Sequence, residues 1–195
     1  IDALQAIKGV TNPKEAFFRL SRWSENAALL QTPADVVEQQ FIHGGFELLR
    51  LMLQENLASR EEYEMEALIQ KNEDGSETRL SHRREHKRQY ESIFGTIEIH
   101  RTGFGARGVE SIHPLDQELN LPKRRYSHPL QKRAAKLSSR GPFSEAVEDI
   151  EQTTAANFPK RQMQEVVVEV AHDFEAFYEE RGQRLSPPEE TGSIL

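Results

Sequence analysis

Pro159-Lys160-Arg161-Gln162-Met163-Gln164 opens the last strongly periodic segment of the chain. Lys160 and Arg161 are cations that neutralise phosphates, and Arg161, Gln162 and Gln164 are side chains of the kind that read guanine and adenine edges. A helix starting at Pro159 adds the partial positive charge of its own N-terminus. Two further basic groups share this chemistry. Arg83, Arg84, Lys87 and Arg88 lie in His82-Arg83-Arg84-Glu85-His86-Lys87-Arg88, which on a strand carries positive charge on both faces and suits a ribbon gripping a duplex. Lys123-Arg124-Arg125 leads into a helix start at Ser127, a loop position suited to clamping phosphate. Lys132, Lys136 and Arg140 then fall at spacing four on one face of that helix. Each group also fits a plainer role: a three-helix bundle with cations in water, an exposed hairpin whose charge blocks edge pairing, a solvated connector.

The net charge of -7 argues at first against an anionic partner, but its distribution does not. Residues 79–140 hold 14 Lys and Arg against 6 Asp and Glu, a net of +8, and the remainder carries -15. A basic middle between acidic ends is the asymmetry an anionic partner would use. The 195 residues suffice for one sizeable domain or two small ones. A hydrophobic fraction of 36% points to a helix-rich chain with a modest core. No stretch approaches the roughly 20 apolar residues of a membrane span, so no membrane partner is expected. Ile1–Val10 lacks the basic start and apolar core of a signal peptide. The absence of cysteine excludes disulfides and Cys-based zinc sites and agrees with a reducing cytoplasm.

These cations need elements to position them. Asn12 is a capping residue and Pro13 suits a first helical position, with Phe17, Leu20 and Trp23 following at helical spacing, so a helix is expected from Pro13 to Leu30. Thr32-Pro33, with Asp35 three residues after the threonine, marks a second start. Val37, Phe41, Leu48 and Met52 make its stripe, widened by Ile42, Phe46, Leu49 and Leu53, and the helix is expected to run on through Glu61–Glu66 to Ile69. Gly44-Gly45 weakens it by about 1 kcal/mol per glycine. A helix this long packs within its own chain or pairs with a second copy, so a homodimer is one expected partner.

Asn72–Ser76 reads as a turn. Thr96–Arg101 alternates with period two and is expected to be a strand, with Leu80–Tyr90 as its partner across Gly95. Gly103, Gly105 and Gly108 are expected to open a loop reaching Pro122. Three helices follow: Ser127–Ser139 with Leu130, Ala134 and Leu137 inward; Phe143–Gln152 with Phe143, Ala146, Val147 and Ile150 inward; and Pro159–Arg181. The last carries Met163, Val166, Val167, Val170, Phe174, Phe177 and Tyr178 at alternating spacings of three and four. The tail from Gly182, with Pro187-Pro188, reads as a linker.

The expected fold is therefore mainly α with a small β-hairpin. Long N-terminal helices occupy 1–76, a basic two-stranded ribbon and loop 77–122, a three-helix helix-turn-helix unit 123–182 and a linker 183–195. In such a unit the last helix lies in the major groove and its first residues meet the bases. Metal and catalytic chemistry find less support. His82 and His86 lie four apart on an expected strand with no third ligand nearby. Asp116, Asp149 and Asp173 fall in separate elements, and nucleophile motifs and phosphate-cradling glycine loops are absent.

From Phe94 onwards an ordered set of motifs resembles the transposases of ISKra-type insertion sequences. The set begins with Phe94-Gly95-Thr96-Ile97 and Arg101, then His113-Pro114-Leu115-Asp116, Leu119-Asn120-Leu121-Pro122 and Tyr126-Ser127. It continues with Phe143-Ser144-Glu145-Ala146, Pro159-Lys160-Arg161-Gln162 and Phe174-Glu175-Ala176-Phe177-Tyr178. The resemblance covers residues from about Arg79 to the C-terminus. It implies the DNA-recognising region ahead of an Asp-Asp-Glu catalytic domain, in which two divalent metals activate water or a DNA 3′-hydroxyl. The chain reaches Leu195 about where the first strand of that domain would begin, so no catalytic residue is carried over. Mg²⁺ or Mn²⁺ is expected only in that domain, and no catalytic activity or cofactor in this chain. The implied function is binding of terminal inverted repeats in double-stranded DNA, in the cytoplasm at the nucleoid. The alternatives are a stand-alone DNA-binding regulator and a helical dimerisation module.

Overall fold

The structure, a computed structural model, describes residues 2–60, 68–71, 75–108 and 111–171. Helices predominate, and the strands form two small antiparallel pairs. The mainly α class with a small β part holds, with a second hairpin beside the one expected. No helix among the described residues is long and apolar enough to cross a membrane.

α1 (Ala3–Ile7) and α2 (Pro13–Ser24) start where side chains satisfy their first amides. Asn12 Oδ1 accepts from the N–H groups of Lys14 and Glu15 at 2.9 and 3.2 Å. The helix expected to reach Leu30 ends at Ser24, because Asn26 accepts the Ala28 amide at 3.0 Å and starts a 3-10 turn over Ala27–Gln31. Thr32, expected as the next cap, instead donates its hydroxyl to the Ala28 carbonyl at 3.2 Å. α3 (Ala34–Ala58) therefore begins after Pro33 without a side-chain cap. It also stops short of Ile69. The Ser59 amide closes on Glu55 and its hydroxyl on Asn56, satisfying carbonyls of the last turn. The expected continuation over 61–67 lies outside the described residues, and Ile69 sits in β1 (Leu68–Lys71).

β1 pairs with β2 (Glu77–Leu80), from Leu68 opposite Leu80 to Lys71 opposite Glu77. β3 (His82–Ser92) pairs with β4 (Gly95–Gly105) along eleven residues each, from His82 opposite Gly105 to Ser92 opposite Gly95. Ile93 and Phe94 form the turn, and Gly95 supplies the positive φ of 109° that closes it. Gly103 and Gly105 belong to β4 and do not open a loop. Phe104 exchanges both backbone hydrogen bonds with Ile112 at 2.8 Å, folding 111–113 back against the strand. A Cβ on Gly103 would lie 3.0 Å from His113 Nε2, so close approach explains the glycine. A short helix not expected from the sequence, α4 (Pro114–Glu118), follows.

α5 (His128–Ser138), α6 (Phe143–Thr153) and α7, the helix over 160–171, complete the described chain. Phe174, Phe177 and Tyr178, and the tail after them, lie outside it.

Three cores hold these elements. Ile7, Val10, Ala16 and Leu51 join the first three helices. A Cβ on Gly44 would come within 2.9 Å of Leu20 Cδ2 and 3.0 Å of the Ala3 Cβ, so this glycine lets α1, α2 and α3 meet. Leu57, Ile97, Ile99 and Leu115 join the end of α3 to β4 and α4. There the Gln54 amide donates to the Glu98 carbonyl at 2.6 Å and accepts the Glu98 N–H at 2.9 Å, closing the edge of β4. The third core, with Tyr126, Leu130, Ala134, Ile150, Phe158, Met163 and Val166, packs α5, α6 and α7 together.

Candidate nucleic-acid interface

A buried carboxylate orients α7. Glu91, 2% exposed near the tip of β3, accepts the Thr96 hydroxyl at 2.7 Å and the Asn157 backbone N–H at 2.9 Å. Its backbone pairs with 125–127, accepting from the Ser127 amide at 2.9 Å and donating to the Arg125 carbonyl at 2.7 Å. The Ala155 amide reaches the Ile93 carbonyl at 3.1 Å, and Tyr126 stacks on Phe158 with ring centroids 4.0 Å apart. The tip of the β3–β4 hairpin is thereby locked to the loop entering α5 and to the connector entering α7. No local pattern in the sequence marks Glu91.

Along α7, Met163 and Val166 are buried, while Lys160, Arg161, Gln164, Glu165 and Val168 are exposed on the other side. Gln162 is half-buried. Arg161 reaches Glu165 at 3.5 Å. Arg124 spans from the loop to the same helix, donating through Nη1 to Glu165 at 2.9 Å and through Nε to Glu169. Its hydrogen bonds, first to Glu169 and then to Glu165, raise the Arg124 pKa.

Beside Arg124 opens a groove of about 980 Å³ between the loop, α5 and the end of α7. Lys123, His128, Lys132 and Lys136 line it with Arg124, and Leu121, Pro122, Ala135 and Val170 add apolar surface. Lys123 of the loop and the pair Lys132 and Lys136 of α5 thus share one wall with Arg124. Arg125 turns the other way, its guanidinium 5.2 Å from the Tyr126 ring centroid and 3.8 Å from Glu91.

The cations of β3 divide. Arg83 and Arg84 are exposed at the open end of the hairpin. Eight residues separate Arg84 from Ser92 at the tip, roughly 26 Å along a strand, so these arginines stand apart from α7. Lys87 pairs with Glu98 at 2.8 Å, and this hydrogen bond, followed by that from His100, holds the Glu98 carboxyl below its usual range. Arg88 is occupied inside the protein: it pairs with Asp116 at 2.9 Å, donates to the Arg124 carbonyl at 2.9 Å, and also reaches the Pro122 carbonyl. Asp116 holds Arg101 as well. His86 contacts His113, not His82, with ring nitrogens 3.3 Å apart. Burial first, and the nearby Arg101 next, push the His113 pKa down. Among the described residues no group of three or more His, Asp or Glu side chains is arranged to hold a metal ion.

No known family model matches the chain, and comparisons with curated proteins and with solved structures find no match.

Proposed function

We propose that the chain binds double-stranded DNA, with α5, α6 and α7 acting as a helix-turn-helix unit whose α7 enters the major groove. The observation that carries this reading is the exposed face of α7, with Lys160, Arg161 and Gln164, tied by Arg124 to a groove lined by Lys123, Lys132 and Lys136. Cations of the groove and Lys160 meet phosphates and fix register, while polar side chains of α7 meet base edges. The connector between α6 and α7 runs over 154–159, longer than the turn of about three or four residues in the compact motif. Its extra residues bury Thr154, Ala156 and Phe158 and bond to the β3–β4 tip. Arg83 and Arg84 grip phosphates further along the duplex as the basic end of a ribbon.

The resemblance to ISKra-type transposases supports the same reading and adds a target, the terminal inverted repeats of an insertion sequence. On that reading metal-dependent strand chemistry belongs to a catalytic domain of the family, and these residues recognise DNA at the nucleoid. Fluorescence anisotropy of a labelled duplex at about 50 mM salt tests the proposal. Binding is expected, weakened at least tenfold in the Lys160→Gln/Arg161→Gln variant. Absence of binding to any duplex rejects it.

A second reading, a dimerisation module, is favoured by one observation. Phe17, Phe18, Leu30, Phe41 and Met52 are all exposed on α2, the 3-10 turn and α3. Phe18, 69% exposed, borders a groove of about 760 Å³ flanked by Lys14 on α2 and Glu55 on α3. A protruding ring, a groove and opposite charges on one face are self-complementary under a two-fold axis, so the occupant is a second copy of this chain. Light scattering is expected to give a dimer that Phe18→Glu converts to monomer. A monomer at every concentration removes this reading.

A further inference from the structure

Glu165 and Val168 share the exposed face of α7 with Arg161 and Gln164, at positions i, i+3, i+4 and i+7. A carboxylate on a helix facing DNA would ordinarily repel the phosphates. Here two guanidiniums hold it: Arg124 at 2.9 Å on Oε2 and Arg161 at 3.5 Å on Oε1. They offset its charge, the Arg124 hydrogen bond orients it, and a carboxylate has about four acceptor sites, so acceptor capacity remains. Val168 is 56% exposed and is the one exposed large apolar side chain among the described residues of α5, α6 and α7. Packing among the described residues does not account for it.

We infer that Glu165 and Val168 extend the base-reading edge of α7, Glu165 accepting the exocyclic amine of a cytosine and Val168 packing on a thymine methyl. The inference rests on the DNA-binding reading above. The four chemistries on the stripe are those that distinguish bases in the major groove: Arg161 for guanine, Gln164 for adenine, Glu165 for cytosine and an apolar surface for thymine. From Arg161 to Val168 the helix rises about 10 Å, the rise of about three base pairs. The edge therefore reads a short contiguous run. Arg124 is a positioning residue, presenting Glu165 in a fixed orientation.

The test uses the full chain and a pool of duplexes with a randomised core, with bound and unbound fractions sequenced. The parent is expected to enrich a short motif. Glu165→Gln is expected to lose about tenfold of the preference for cytosine at one position. Val168→Ala is expected to lose preference for thymine at a neighbouring position, with the remaining positions unchanged in that variant. Profiles of both variants that superimpose on the parent's overturn the inference, as does a uniform loss of affinity without change in base preference; DNA binding stands in either case. Retention of no duplex by the parent removes both the inference and the reading beneath it.

Discussion

The carboxylate of Glu91 accepts the backbone N–H of Asn157 at 2.9 Å, across 66 residues of chain. This bond joins the tip of the β3–β4 hairpin to the connector that aims α7. Removing the carboxylate takes the partner from the Asn157 amide and the Thr96 hydroxyl at a partly buried site, at a combined cost of about 1–3 kcal/mol. Glu91→Ala is therefore expected to lower the urea midpoint clearly, and Thr96→Val to lower it less. Equal stability of Glu91→Ala and the parent would mean that the Glu91 carboxylate does not anchor the connector.

Asp116 is the common partner of Arg88 and Arg101, whose side chains are only 12% and 17% exposed. Asp116→Ala leaves two guanidiniums facing each other without a counter-charge, and is expected to cost about 3 kcal/mol. Lys87→Ala removes an exposed pair and is expected to leave the unfolding midpoint unchanged. Chemical denaturation of the two variants checks the contrast.

Adjacent glycines of α3 are expected to respond in opposite directions. A Cβ at Gly45 meets nothing within 4 Å, so Gly45→Ala stabilises by about 1 kcal/mol through helix propensity. At Gly44 the new methyl would press on Leu20 and Ala3, and overpacking of this kind costs about 1–3 kcal/mol. Thermal melts of the two variants should shift to either side of the parent.

Burial of His113 gives stability a pH dependence. Burial lowers the folded-state pKa of His113 below its ordinary 6.5, so the unfolded chain takes up the proton first. Stability is then greatest above pH 6.5 and falls as pH drops through that value toward the folded pKa. Glu98, whose folded pKa is likewise lowered, from 4.5, also loses its contribution as pH falls, but only from about 4.5 downward. Urea midpoints measured between pH 7 and pH 5 are expected to decline in the parent and to decline less in His113→Gln. Parallel slopes would show that His113 does not titrate with folding.

Features encoded locally were legible in the sequence. Asn12 caps its helix, the Thr96–Arg101 alternation lies inside β4, and Leu130, Ala134, Ala146, Ile150, Met163 and Val166 face one core as their spacing required. Features decided by distant partners were not. Leu68 and Ile69 continued a helical stripe until pairing with Leu80 and Arg79 made them a strand. Gly103 looked like loop because the returning His113 is ten residues away. The same limit governs the candidate site. Counting cations could not reveal that Arg88 is spent on Asp116, 28 residues on, or that Arg124 meets Glu165 and Glu169, 41 and 45 residues on. Nor could it reveal that Lys123, Lys132 and Lys136 share one groove.

Equilibrium binding of a labelled duplex across a series of salt concentrations tests DNA recognition by α7 and its groove most directly. If Lys123, Lys132, Lys136, Lys160, Arg83 and Arg84 each meet one phosphate, log K should fall against log salt with a slope of roughly -5.4, and Lys132→Gln/Lys136→Gln should flatten it by about 1.8. No binding at low salt, or a slope that this double variant leaves unchanged, would contradict DNA recognition through this face.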